Sequence, residues 1–196
     1  MQPDFDLASR SPRRVQMLRE AGLSFECRPA DIDETPRTCE APAAFARRMA
    51  QAKARAAFDA GSGRPCLGAD TDVALQARIL GKPRDAGAAV EMLLALADRS
   101  HHVHSAVALV GNGLCEVLDT CTEVRFGPIS AAQARAYWDS GEPAGKAGAY
   151  AIQGLASRWV REVHGSYTGV VGLPLFETLA LLARHGVHPR AAAAAG

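Results

Sequence analysis

Pro65 to Asp85 reads PCLGADTDVALQARILGKPRD. Cys66 and Leu67 form a short apolar run that meets a glycine, a small residue and an acid, Gly68-Ala69-Asp70-Thr71. A second apolar run follows, and then Gly81-Lys82-Pro83-Arg84-Asp85. A buried strand that stops at a small residue and an acid places a carboxylate at the carboxyl edge of an α/β sheet, where such folds take their ligands. Gly68 and Ala69 leave room for a ligand to approach the backbone closely. Lys82 and Arg84 lie one hairpin away and supply counter-charge for an anion that Asp70 alone would repel. Acid facing base across a small-residue turn is the composition of a metal–phosphate site. The plainer reading beside it is a hairpin with a surface ion pair of little energetic worth.

The flanking chain supplies further candidates. Upstream, Phe5 to Ala8 predicts a short strand running into Ser9-Arg10-Ser11-Pro12-Arg13-Arg14. Ser11 suits an N-cap and Pro12 a first helical position, with the helix stopping at Gly22. Arg13 and Arg14 in a first turn oppose the helix dipole unless an anion joins them, when free backbone N–H groups and guanidinium forks converge on it. Leu23 to Arg28 predicts a second strand, followed by the acids of Asp31-Ile32-Asp33-Glu34, a plausible edge for Mg²⁺. Pro42 opens a helix to about Ala60 with Phe45, Met49, Ala52 and Ala56 on its buried stripe and Lys53 beside it; Gly61-Ser62-Gly63 closes it.

Downstream, Asp85 caps a helix to about Ala97. Val103–Val110 and Leu114–Phe126 read as strands joined at Gly111-Asn112-Gly113. His101, His102 and His104 invite a metal reading, but no third ligand accompanies the pair that shares a strand face, which favours a structural role. Ser130 to Gln133 is a capping box opening a helix to Gly141. The small-residue run Gly141 to Gly154 fails as a Walker loop, being short between glycines and carrying Ala147 where a hydroxyl must hold Mg²⁺. It is then either a connector or a wall against which a base packs, and Gln153 has the donor and acceptor that suit a base edge. Trp159–Val163 and Tyr167–Val171 read as a second hairpin about Gly165-Ser166, and Pro174 starts a helix with Leu175, Leu179 and Leu182 inward.

At 196 residues, 48% apolar and 22% charged, the chain reads as one globular domain over 1–190, with an Ala-rich tail, 191–196, expected to fray. A formal charge of +1 leaves no footprint for a nucleic-acid polymer or an anionic membrane. The odd cysteine count without a CxxC pair argues against a disulfide framework or a structural zinc site. Acids in MQPDFDLASRS and the absence of a span-length apolar stretch predict a cytoplasmic protein.

Taken together, LASRSPRR (Leu7–Arg14), DIDE (Asp31–Glu34), GADT (Gly68–Thr71), ILGKPRD (Ile79–Asp85), GEPAGKAGAYAIQG (Gly141–Gly154) and GSYTGVVGLPL (Gly165–Leu175) resemble, in order, the motifs of the Maf (septum formation) family of nucleotide pyrophosphatases. The resemblance implies an α/β fold with an elongated, twisted mixed sheet flanked by helices and two lobes around a cleft. It implies hydrolysis of a nucleoside triphosphate to monophosphate and pyrophosphate with Mg²⁺ or Mn²⁺. Asp70 is the implied catalytic base, Glu34 and Asp70 the metal ligands, and Ser9, Arg13, Arg14, Lys53, Thr71, Lys82 and Gln153 the substrate residues. Arg13, Thr71 and Gln153 resemble the set of the branch that prefers dTTP and UTP. The implied partners are a small nucleotide and a second copy of the chain. The alternatives are a non-catalytic nucleotide-binding regulator of division and a pyrophosphatase for non-canonical nucleotides.

Overall fold

A computed structural model describes residues 2–61 and 63–190; Ser62 and the Ala-rich tail lie outside the described residues. The elements in order are β1 (Phe5–Leu7), α1 (Pro12–Glu20), β2 (Phe25–Cys27), α2 (Pro42–Asp59), β3 (Cys66–Leu75), β4 (Arg78–Leu80), α3 (Ala86–Leu96), β5 (Ser100–Gly111), β6 (Leu114–Phe126), α4 (Ala131–Asp139), β7 (Val160–His164), α5 (Tyr167–Val171) and α6 (Leu175–Arg184). Short 3-10 turns cover Ala147–Ala149 and Leu155–Trp159. The strands form a seven-stranded mixed sheet ordered β2-β1-β3-β5-β6-β7, with β4 paired to β3. Among the described residues no helix is long and apolar enough to cross a membrane.

The packing divides into two compact units. The first holds the described residues of Met1–Asp70, Ser105–Asp119 and Gly172–Gly196. Its centre is β1, parallel to both β2 and β3. Phe5, Leu7, Leu67, Val107 and Leu109 pack with Leu18 of α1 and Leu181 and Leu182 of α6. The alternate positions of β5, Ala106, Ala108 and Val110, pack instead with Ala46, Ala50 and Ala54 of α2. Helices on both faces bury both sets of side chains, so β5 is continuously buried from Ser105 to Gly111 and shows alternation only before that. The buried residues of α2 are Pro42, Phe45, Ala46, Met49, Ala50, Ala54 and Ala57, which displaces the expected Ala52 and Ala56 to partly exposed positions. The cause is Gly68, where an added Cβ would lie 2.1 Å from the Ala50 carbonyl oxygen and 2.6 Å from the Ala54 nitrogen. Backbone meets backbone there, and that contact chooses which alanines face the sheet.

The second unit holds Thr71–His104 and Thr120–Val171. The expected caps are all made: the Asp85 carboxylate accepts from Ala88 N at 2.8 Å, and Ser130 and Gln133 form the reciprocal box at the start of α4. In the first unit Ser11 likewise accepts from Arg14 N, with Pro12 at the first helical position. A correction concerns the segment after β7. β7 pairs antiparallel with β6, but Tyr167–Val171 is a short helix, not the returning strand of a hairpin. Ser166 explains it: its Oγ accepts from Gly169 N at 3.1 Å and its carbonyl from Val170 N at 3.2 Å, closing a helical turn that overrides the β-branched composition. Of the inward positions expected in α6, Leu182 is buried, Leu175 and Leu179 are partly so, and Thr178 and Leu181 complete the buried face.

Candidate functional site

The parallel strands of the first unit set the site. β1 registers with β3 through Leu7–Leu67 and with β2 through Leu7–Cys27. α1, which follows β1, packs with the cluster on one face of β5, and α2, which follows β2, packs with the cluster on the other. Neighbouring parallel strands whose connections leave to opposite faces open a crevice at their carboxyl ends. Ser9, Arg13 and Arg14 follow β1, Glu34 follows β2, and Asp70 lies three residues past the last β1 pair on β3.

Asp70 does not end its strand as the sequence suggested. β3 runs on to Leu75, because its later residues Val73 to Leu75 find a new antiparallel partner in β4 across the Gln76-Ala77 turn. The carboxylate therefore stands in mid-strand, between the stretch paired with β1 and the stretch paired with β4, and it is buried.

Lys53 is the hub of the cluster. Its Nζ lies 2.5 Å from Asp70 Oδ1 and 3.0 Å from Glu34 Oε1. The lysine and Asp70 side chains keep 12% and 9% of their exposure, Glu34 46%. Two carboxylates thus converge on one cation position, one set in the sheet and the other reaching in from a loop. That donor set fits a hard divalent cation, which takes carboxylate oxygen together with water and phosphate. The other acids of the loop are used locally: Asp31 pairs with exposed Arg10 at 2.8 Å, and Asp33 accepts from Thr35 N at 2.9 Å. The Arg10 guanidinium holds the Asp31 carboxyl below its usual range, and the Thr35 side chain, with its N–H, does the same for Asp33. Only Glu34 of the three meets Lys53.

At the start of α1, Ser9 Oγ accepts from Ser11 N at 3.1 Å and from Arg14 Nη1 at 3.3 Å. Arg14 Nε donates to the Gly172 carbonyl at 2.7 Å, so its guanidinium is oriented by the protein itself. Arg13 is half-buried in the same turn. Thr71, Lys82 and Gln153 belong to the second unit, Lys82 and Gln153 exposed and Thr71 half-buried. Gln153 makes no hydrogen bond through its side chain among the described residues. Within the run Gly141 to Gly154, Ala149, Tyr150, Ala151 and Ile152 are buried, while Gly141, Ala144, Gly145 and Gln153 are exposed.

Two groups escaped the sequence reading. Arg48 donates from Nε and Nη2 to the Glu40 carboxylate, both at 2.6 Å, and from Nη2 to the Thr35 carbonyl at 3.1 Å. It pins the loop that carries Glu34 and holds Glu40 down to about 2. Eight residues across a helix start leave no short-range signal for that pair. Glu142 was visible only as a letter in the Gly141–Gly154 run, and its partner Tyr137 as an aromatic on α4. Of the histidines, His101 is buried against Phe126 and Tyr150, with Nε2 2.8 Å from the Tyr150 hydroxyl, while His102 and His104 neighbour each other with ring centroids 6.3 Å apart.

Residues 4–185 match the family described as Maf-like protein. The dTTP/UTP pyrophosphatase of Hahella chejuensis is 48% identical over 184 residues, covering 92% of each chain. That of Nitrosomonas europaea is 46% identical over 194 residues, covering 92% of this chain and 94% of its own. The dTTP/UTP pyrophosphatase of Myxococcus xanthus is 48% identical over 181 residues, again 92% of each. Among solved structures, a HAM1 protein from Coxiella burnetii overlaps 64% of this chain and 73% of its own with a TM-score of 0.45 and 22% identity, too loose a likeness to build on.

Proposed function

This chain belongs to the Maf-like family, and on that footing we propose that it is a nucleoside triphosphate pyrophosphatase hydrolysing dTTP and UTP to the monophosphate and pyrophosphate. The observation that carries the proposal is the convergence of Asp70 and Glu34 on one cation position at the carboxyl ends of parallel strands.

In this reading Asp70 takes the proton of the water that attacks the α-phosphorus, and the bond from that phosphorus to the bridging oxygen breaks as pyrophosphate leaves. Asp70 and Glu34 would hold Mg²⁺ or Mn²⁺, which would supply Lewis acidity and offset phosphate charge. Lys53 hands its carboxylates over and turns its ammonium onto the triphosphate. Arg14, oriented beforehand by Ser9 and Gly172, and Arg13 at the helix start stabilise the departing anion, work that is mainly electrostatic. Thr71, Lys82 and Gln153 are assigned on the family resemblance: Lys82 to phosphate, Thr71 and Gln153 to the base. We further propose a single functional domain over 1–190, a homodimer and a cytoplasmic location; light scattering and cell fractionation test the last two.

The decisive experiment measures pyrophosphate release from dTTP, UTP, CTP, GTP, ATP and 7-methyl-GTP with Mg²⁺ or Mn²⁺, beside the same panel with Asp70→Ala. Turnover of dTTP and UTP that vanishes in the variant supports the reading. Turnover of 7-methyl-GTP instead overturns the roles given to Thr71 and Gln153. Nucleotide binding without turnover overturns the enzyme and favours a regulator.

A further inference from the structure

We propose that Tyr137 and Glu142 are positioning residues that set base selectivity by clamping the backbone on both sides of Gln153, an inference that rests on the reading of Gln153 above. Ala151 N donates to Tyr137 Oη at 3.1 Å. Tyr137 Oη donates to Glu142 Oε1 at 2.6 Å, and Leu155 N donates to Glu142 Oε2 at 3.0 Å. One phenol and one carboxylate therefore hold the backbone N–H groups that bracket Ile152-Gln153-Gly154. Within the bracket Gly154 N donates to the Ala151 carbonyl at 3.0 Å, closing a turn with Gln153 at its apex.

Further contacts hold the clamp in place. Tyr137 is buried, and its ring meets Trp159 edge-on with centroids 5.2 Å apart. Glu142 N donates to Ser140 Oγ at 3.3 Å, and Ser140 Oγ donates to the Tyr137 carbonyl at 2.6 Å. The carboxylate lies so close over Gly154 that an added Cβ there would stand 2.2 Å from both of its oxygens. Glycine at that position is what admits the clamp. Ile152 is buried, whereas Gln153 is exposed. The arrangement fixes the backbone firmly and leaves one carboxamide to meet a ligand. A carboxamide can match the 4-oxo and N3–H edge of uracil or thymine with one donor and one acceptor, provided its backbone does not wander.

The test compares kcat and KM for UTP, dTTP, CTP and ATP in the parent, Tyr137→Phe, Glu142→Gln, Glu142→Ala and Gln153→Ala, with a melting temperature for each. Tyr137→Phe removes one oxygen and should raise KM for UTP and dTTP about tenfold while kcat changes less than about threefold, and should erode the preference over CTP and ATP. Glu142→Gln should act in the same direction and more weakly, because it keeps an acceptor for Leu155 N. In the pair Tyr137→Phe/Gln153→Ala, selectivity should be no worse than in Gln153→Ala alone, since both act through one carboxamide. If Gln153→Ala loses selectivity while Tyr137→Phe and Glu142→Gln melt with the parent and keep it, the clamp is overturned and the reading of Gln153 stands. If Gln153→Ala itself keeps the parent's selectivity, that reading falls and takes the clamp with it. Should Glu142→Ala not fold, the two conservative variants decide.

Discussion

Lys53 makes the strongest single-residue statement in the molecule. Its ammonium is the neighbour that both Asp70 and Glu34 share, and Asp70 is too buried to rely on water. Removing one partner of such a cluster leaves a desolvated charge behind, so Lys53→Met should cost about 3 kcal/mol of stability and lower kcat about 100-fold. Added Mn²⁺ should raise the melting temperature of Lys53→Met more than that of the parent, because no ammonium competes for the two acids. A variant that melts and turns over like the parent would reduce the cluster to solvated surface charge. His101 makes a different statement. Burial holds it down to about 4, against an ordinary value of 6.5. Above pH 6.5 it is neutral folded or unfolded and has no effect. As pH falls from 6.5 to 4 the unfolded chain takes up a proton that the folded one refuses, and stability drops by about 3 kcal/mol across that window. Denaturant unfolding of His101→Phe should start lower at pH 7.5, since Tyr150 loses its hydrogen-bond partner. It should then stay flatter than the parent down to pH 4.5; parallel curves would exclude the histidine as the cause.

The elements divide by whether their signals were local. Ser11-Pro12, Asp85, the Ser130–Gln133 box and the Asn112-Gly113 turn were legible because a cap or turn is decided within four residues. β3 was misjudged at Asp70 because the strand runs without a break into the hairpin with β4, so the acid read as a strand end stands in mid-strand. α5 was misjudged because the Ser166 cap outweighs the strand preference of Val170 and Val171. The buried stripe of α2 was shifted by a glycine on another element, Gly68. That contact supplies the prediction at this scale. Gly68→Ala would force β3 off α2, the helix that carries Lys53, and overpacking backbone against backbone should cost about 3 kcal/mol. The melting temperature should fall and pyrophosphate release should fall with it, even though the substitution adds only a methyl group. Of the candidate site, Asp70 was readable from an acid set against small residues, Arg14 from its place in a first helical turn and Glu34 as one of three loop acids, whereas Lys53 as a ligand came with the family resemblance. The Arg48–Glu40 tie and the Tyr137–Glu142 clamp were not, because each joins residues whose spacing follows no period.

At the scale of the whole molecule, the cluster built on Lys53, the crevice at the parallel strands and the oriented Arg14 all belong to the first unit, and that unit is assembled from three separated pieces of chain. Its core sets Phe5 and Leu7 against Leu173, Leu181 and Leu182. Arg190 donates to the Asp4 carboxylate and its N–H to the Gly22 carbonyl, while Arg14 reaches across to Gly172. The second unit draws on just two pieces, both complete by Val171. A ribosome making this chain therefore delivers the parts in an order that matters. The acids, the lysine and the arginines all precede Gly172 in the chain, yet the core that α1 begins to cover over β1 and β3 is completed only when α6 follows. The second unit can close while the first still waits. A nascent or prematurely released chain thus carries the charged groups of the candidate site without the completed core that aligns them.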